Sequence, residues 1–312
     1  QKTLNSKSQK WGRKIALTCV KDMLAAVVGI GICGVAAGIG VFRGILSSTP
    51  TIRLSDVVAV GEATIVYDRE GNEIDQYVST NSNRLSVGMD EIPDYLGKAF
   101  VAIEDERFYQ HNGIDFKSII RAGYQFFKTG GEEAQGASTI TQQLLKNTVF
   151  TDWTSEGNNK IKKIKRKIQE QYLALEITKY YSKDEILLRY MNAINLGQNT
   201  LGVESASLRY FGKHCSELTI SECAVIASIT QNPSKYNPIR HPEENVKRRK
   251  KCLNKMLELG FISQTQYDEA MADTDAVYER IGLYDIDYQE ANATTGSYFS
   301  DAVYEQVKQD LI

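Results

Sequence analysis

The chain has 312 residues, 42% of them hydrophobic and 24% charged, enough to bury a real core in one large or two modest domains and too much for a tail or peptide. Lysine plus arginine (37) nearly balance aspartate plus glutamate (39) for a net charge of −2, so no overall basic excess points to nucleic acid. Cysteines stand at Cys19, Cys33, Cys215, Cys223 and Cys252 with no C-x-x-C or metal-ligand spacing, which favours buried free thiols and leaves a disulfide among the last three open.

Residues 1–22 form a basic tail that carries Lys2, Lys7, Lys10, Arg13, Lys14 and Lys21. Met23 to Phe42 then runs for twenty residues without a charge, which at about 1.5 Å per residue spans roughly 30 Å, a bilayer's hydrocarbon core. One transmembrane helix is predicted over 23–42. Only Arg43 and Arg53 follow closely, so the charge bias places the N-terminus in the cytoplasm and the rest of the chain outside. No small-x-small cleavage site follows the run cleanly, which favours an uncleaved anchor over a signal peptide.

A polar linker occupies residues 43–62, and Ala63 to Val78 reads as a short β-hairpin with turn chemistry at Asp68-Arg69-Glu70-Gly71-Asn72. From Pro93 to about Leu259 apolar residues recur at three- and four-residue spacing with glycines between the stretches, so this region is predicted mainly α. The text turns loop-like after Gly260, and Tyr298 to Leu311 begins a further element.

Three clusters carry chemistry. In Glu104-Asp105-Glu106-Arg107-Phe108-Tyr109-Gln110-His111-Asn112-Gly113, a helix over 94–110 would put Glu104 and Phe108 on one face, an apolar setting suited to a carboxylate that takes a proton near neutral pH. An ordinary solvated acid turn is the competing reading. In Gly136-Ala137-Ser138-Thr139-Ile140-Thr141-Gln142-Gln143-Leu144-Leu145-Lys146-Asn147, a Ser or Thr cap, free helix N–H groups and a lysine make an anion site, against which stands a simple capped surface helix. The third cluster, Lys160 to Glu170, is dense in lysine and attracts phosphates or an anionic surface, or is a salt-bridged exposed helix with Arg166 and Glu170 at i,i+4.

In this order, Glu104-Asp105-x-x-Phe108-x-x-His111-x-Gly113, Gly136-x-Ser138-Thr139-Ile140-Thr141-Gln142-Gln143 and Arg166-Lys167-x-x-Glu170 resemble the signature of the peptidoglycan glycosyltransferase domain of bifunctional (class A) penicillin-binding proteins. Tyr181 to Asn192, Tyr210 to Lys213, Glu222 to Ala227 and Asn232-Pro233-Ser234 with Tyr236-Asn237-Pro238 resemble its later motifs. The resemblance implies a mainly α, lysozyme-like fold with a small membrane-proximal lobe over residues 63–270, followed by a linker, 271–312, toward a C-terminal transpeptidase domain. No Ser-x-x-Lys occurs in these residues.

The implied reaction polymerises lipid II into β-1,4 glycan by inverting transfer, with undecaprenyl pyrophosphate leaving. A pyrophosphate departs as a stable anion, so cations do what a glycosidase assigns to a carboxylic acid. By resemblance Glu104 is the base. Lys146 and Arg166, with Gln142, Ser138 and Thr139, bind phosphates and sugars, and Gln143, Asn147 and Lys162 complete the substrate-binding set. Glu170 is a second carboxylate that orients Arg166 or Lys146, while Asp105 and His111 organise the site or touch substrate and Phe108 packs. Phe116, Ile119, Ile120, Phe126 and Phe127 fit either an interfacial helix dipping into the bilayer or core packing. No metal ligand set is read, with a divalent cation such as Mg²⁺ the candidate cofactor. Implied partners are lipid II, the growing glycan, the bilayer and cell-wall synthesis or division proteins. A lysozyme-class hydrolase with Glu104 as general acid and a non-catalytic scaffold are the alternatives.

Overall fold

The computed structural model describes residues 7–58, 64–71, 73–77, 84–129, 136–157 and 159–282, with isolated positions 302, 306, 307 and 309. Two units divide at Thr51. The first is helix α1, Lys7–Ser47, which continues beyond both ends of the uncharged run. Within it Trp11–Ser47, which contains an 18-residue window of mean hydropathy 2.3, is long and apolar enough to cross a membrane.

The second unit opens with two antiparallel strands, β1 (Thr64–Tyr67) and β2 (Glu73–Tyr77), paired from Thr64 opposite Tyr77 to Tyr67 opposite Glu73. Asn72 and the ends of the expected hairpin lie outside the described residues, as does almost all of the expected C-terminal element. The rest is helical: α2 (Asp94–Glu104), α3 (Phe116–Lys128), α4 (Ile140–Thr148), α5 (Lys160–Ile177), α6 (Lys183–Ala193), α7 (Val203–Phe211), α8 (Ile220–Ala227), α9 (Pro242–Glu258), α10 (Gln264–Ala272) and α11 (Thr274–Glu279).

Local chemistry sets these boundaries. Capping boxes start α4 (Thr139 with Gln142), α6 (Ser182 with Glu185), α8 (Thr219 with Glu222) and α10 (Ser263 with Gln266). Pro242 opens α9, where a missing N–H costs nothing. Buried side chains on α2, such as Leu96 and Phe100, pack on α8 and α9, and α4 packs on α5 and α6. From Ser221 to Ala227 every residue of α8 is buried, so this short helix is the centre of the core. Cys215, Cys223 and Cys252 are buried free thiols, which settles the open disulfide in favour of none.

One glycine of the first motif is explained by contact. Gly113 has φ +89°, and a Cβ there would stand 2.3 Å from the Ala174 carbonyl oxygen on α5. Close approach of this loop to α5 therefore requires glycine.

Candidate active site

The stripe Leu96–Phe100 on α2 steps by four residues to Glu104, the last residue of the helix, so this carboxylate emerges where the core meets a cleft. Its Oε2 accepts from Gln143 Nε2 at 2.9 Å, and its Oε1 accepts from Thr230 Oγ1 at 2.5 Å and Arg248 Nη2 at 2.7 Å. Behind Gln143, the Tyr190 hydroxyl donates to the amide oxygen at 3.2 Å. Burial pushes the Tyr190 hydroxyl well above its ordinary pKa, so it stays a donor and fixes the Gln143 amide with its nitrogen toward Glu104. The expected helix through residue 110 does not form, because Asp105 turns to φ −156° and ends α2. Phe108 is wholly buried against the rings of Tyr109 and His111. Glu104 is thus set among donors and a cation, where the sequence suggested an apolar face.

The start of α4 is also corrected. Asp105 Oδ2 accepts from the Ile140 N–H at 3.0 Å, while Thr139 Oγ1 accepts from the Gln142 N–H at 3.2 Å and donates to the Gly113 carbonyl at 2.7 Å. The Gln142 side-chain oxygen accepts from the Thr139 N–H at 3.3 Å. These groups fill the helix N-terminus that was expected to bind a substrate anion. Asp105 also meets His111 Nε2 at 2.9 Å. Gln142 and His111 are taken up in this knot and do not stand on the cleft wall, whereas Ser138, Thr139 and Gln143 do.

On α5 the buried Glu170 receives both Arg166 Nη1 and Lys167 Nζ, the latter at 2.8 Å. Arg166 Nε pairs in addition with Glu156 at 2.8 Å, and Lys167 donates to Ser138 Oγ at 2.7 Å. Burial disfavours the Arg166 charge, but the two carboxylates outweigh it and push its pKa above the ordinary value. Glu170 therefore orients Arg166 and Lys167, and it acts on Lys146 through space alone. The Lys146 ammonium sits 3.6 Å from the centroid of the Trp153 ring and, among the described residues, has no carboxylate within ion-pair distance. Burial pulls its pKa below the ordinary value, an effect that Glu170 opposes and Arg166 and Lys167 reinforce. Lys162 is exposed on the first turn of α5 and stands on neither cavity wall described next.

Two cavities make the cleft. The first, 380 Å³, holds Glu104 with residues 136–139 and the cations Arg121, Arg248, Lys251 and Lys255. A second, 640 Å³, holds Lys146, Asn147, Trp153 and Asn195. Gln143 and Gln231 line both. A carboxylate and an unpaired ammonium thus face two neighbouring spaces with shared walls, an arrangement that can remove a proton on one side and receive an anion on the other. Among the described residues no group of three His, Cys, Asp or Glu side chains is placed to hold a metal, and Glu104 and Glu170 are already engaged by cations. No step below is routed through a divalent ion.

A model of the Transglycosylase family matches residues 70–257. The chain belongs to the transglycosylase family. Penicillin-binding protein 1A of Clostridium perfringens (strain 13 / Type A) is 39% identical over 296 residues, covering 91% of this chain and 42% of the relative. Penicillin-binding protein 1A/1B of Bacillus subtilis (strain 168) is 35% identical over 290 residues, covering 93% of this chain and 30% of the relative. The chain therefore spans less than half the length of these relatives. A crystal structure of penicillin-binding protein 1A from Haemophilus influenzae aligns over 69% of this chain and 21% of that one, with TM-score 0.35 and 23% identity. The family is the one that the ordered motifs resemble, and every site residue of this transglycosylase named above lies inside the matched segment.

Sequence reasoning missed Arg248, Thr230, Tyr190 and Gln231. Lys167 was within reach, since it stands in the Arg-Lys-x-x-Glu motif at i,i+3 from Glu170. Nothing in the sequence marks Thr230 or Gln231, whose role comes from the turn after α8.

Proposed function

We propose that this domain polymerises lipid II by inverting glycosyl transfer, with Glu104 taking the proton of the acceptor hydroxyl and Lys146 receiving the donor's leaving pyrophosphate. The observation that carries the reading is the placement of Glu104 and Lys146 on neighbouring cavities that share Gln143 and Gln231 as walls. Lys146 has the free ammonium such a role needs, and the Arg166–Glu170–Lys167 cluster adds positive potential behind it. Ser138, Thr139, Gln143 and Asn147 supply hydroxyl and amide groups on the walls for sugar contacts. Arg166 contributes to the field more than to direct contact, because two carboxylates already hold its guanidinium.

An ion pair with Arg248 at 2.7 Å suits a carboxylate that works ionised as a base, not one that must enter the reaction protonated as a hydrolase's acid. Helix α1 anchors the chain with its basic end in the cytoplasm and the catalytic unit outside. In α3 no residue is buried, and Phe116, Ile120, Tyr124 and Phe127 are exposed, the last by 87%, beside Lys117, Arg121 and Lys128. That surface supports the reading of α3 as a helix lying at the bilayer interface, near a lipid-linked substrate. The deciding experiment incubates the chain with purified lipid II. Glycan polymer and free undecaprenyl pyrophosphate support the proposal, whereas shortening of preformed glycan without polymer supports the hydrolase.

A further inference from the structure

The geometry points to Arg248 as the positioning residue of the base, the side chain that holds Glu104 by its Oε1 and leaves its Oε2 as the oxygen that takes the proton. This rests on the reading of Glu104 as base.

Arg248 reaches in from α9 with a tenth of its side chain exposed. Its Nη2 donates to Glu104 Oε1 at 2.7 Å, its Nη1 donates to Gln231 Oε1 at 2.7 Å, and its guanidinium lies 5.1 Å from the centroid of the Tyr236 ring. Each carboxylate oxygen has about two in-plane directions for accepting hydrogen bonds. On Oε1 both are taken, by Arg248 and by Thr230 at 2.5 Å. On Oε2, among the described residues, only one is taken, by Gln143 at 2.9 Å. The remaining direction on Oε2 is the open basic position.

The acceptor hydroxyl gives its proton to Glu104 Oε2, and the electron pair of its oxygen forms the bond to the donor's anomeric carbon. The bond from that carbon to the pyrophosphate oxygen breaks, and its pair leaves with the pyrophosphate as an anion. Arg248 acts through Glu104, and through Gln231 it also braces a wall common to both cavities. The charged and titratable groups around Glu104 are Arg248, Lys251, Cys252 and Lys255 on α9, Tyr190 on α6, Arg121 on α3, Asp115 before α3, and the adjoining Asp105 and Glu106. Of these Arg248 is the cation in ion-pair contact with its carboxylate.

The test measures kcat and KM for lipid II polymerisation by the full chain and by Arg248→Lys, Arg248→Met and Thr230→Val, with Glu104→Gln as reference and thermal unfolding to confirm folding. Arg248→Met is expected to lose about 100-fold in kcat, as a misplaced base does, with KM near wild type. Arg248→Lys should recover most of the rate. Thr230→Val, which empties one direction on Oε1, should lose less. If Arg248→Met does not fold, the lysine and valine variants carry the same comparison. A folded Arg248→Met that keeps the wild-type kcat, or a loss that falls on KM alone, overturns the inference. Glu104→Gln separates the two readings: an active variant sinks the base assignment itself, while an inactive one beside an unchanged kcat in Arg248→Met sinks the positioning role alone.

Discussion

Replacing Glu170 by glutamine removes one charge from the ion cluster on α5 while keeping the side chain's shape. In the native chain this carboxylate is fully buried and holds both Arg166 and Lys167. Deleting one partner of a buried pair costs about 3–5 kcal/mol, because the other charge is left without compensation. Arg166 keeps Glu156 at 2.8 Å and Lys167 keeps Ser138 at 2.7 Å, so the lower end applies. For a domain of this size about 3 kcal/mol corresponds to roughly 6–12 °C in Tm. Thermal unfolding followed by circular dichroism checks the number, and lipid II polymerisation well below both midpoints checks the consequence, a fall in rate as the cations lose their fixed geometry. Glu156→Gln, whose carboxylate keeps some exposure, should cost less on both scales. An unchanged Tm together with an unchanged rate for Glu170→Gln would refute the claim that this carboxylate organises the cation side of the cleft.

Gly113→Ala forces a Cβ against the Ala174 carbonyl at a positive φ and should destabilise the domain by about 1–3 kcal/mol, read by denaturant unfolding. Lys146 has its pKa pulled below the ordinary 10.5 by burial, so its ammonium is lost earlier than an ordinary lysine's as pH rises. The sign is opposite for stability and for binding. Between the lowered value and 10.5 the folded state holds fewer protons at this site than the unfolded state, so this group's contribution to stability rises with pH while donor binding falls. In kcat/KM profiles the alkaline limb should therefore lie below 10.5 and move upward in Lys146→Arg. Phe127→Ser with Ile120→Ser should leave the folding stability within about 1 kcal/mol of wild type, since both are exposed. The pair should lower polymerisation in bilayers but not in detergent.

Helix boundaries and the core were legible wherever short-range chemistry decides them. Ser182, Thr139 and Pro242 announce their helices, and the three-and-four spacing of the apolar residues gives the mainly α class. The site was legible only in part. Glu104 was found through the order of three motifs, but its surroundings were misread because one residue, Asp105, ends the helix that would have placed Phe108 beside it. The α4 N-terminus looked open because the group that fills it, Asp105, lies 35 residues earlier in the chain. Arg248 was hidden in Lys247-Arg248-Arg249-Lys250-Lys251, a run that reads as a solvated face. Helix phase splits that run: Arg249 falls in the buried stripe with Asn245, Cys252 and Met256, and Arg248 turns to the cleft. For α3 the choice between core and interface depends on whether another element covers it, which no local pattern records.

The central claim is that Glu104 removes the acceptor proton. Its most direct measurement is the initial rate of lipid II polymerisation by Glu104→Gln, taken beside its Tm and its affinity for lipid II. Loss of at least about 100-fold in rate with fold and affinity retained is the predicted result. Polymerisation at the wild-type rate would contradict it.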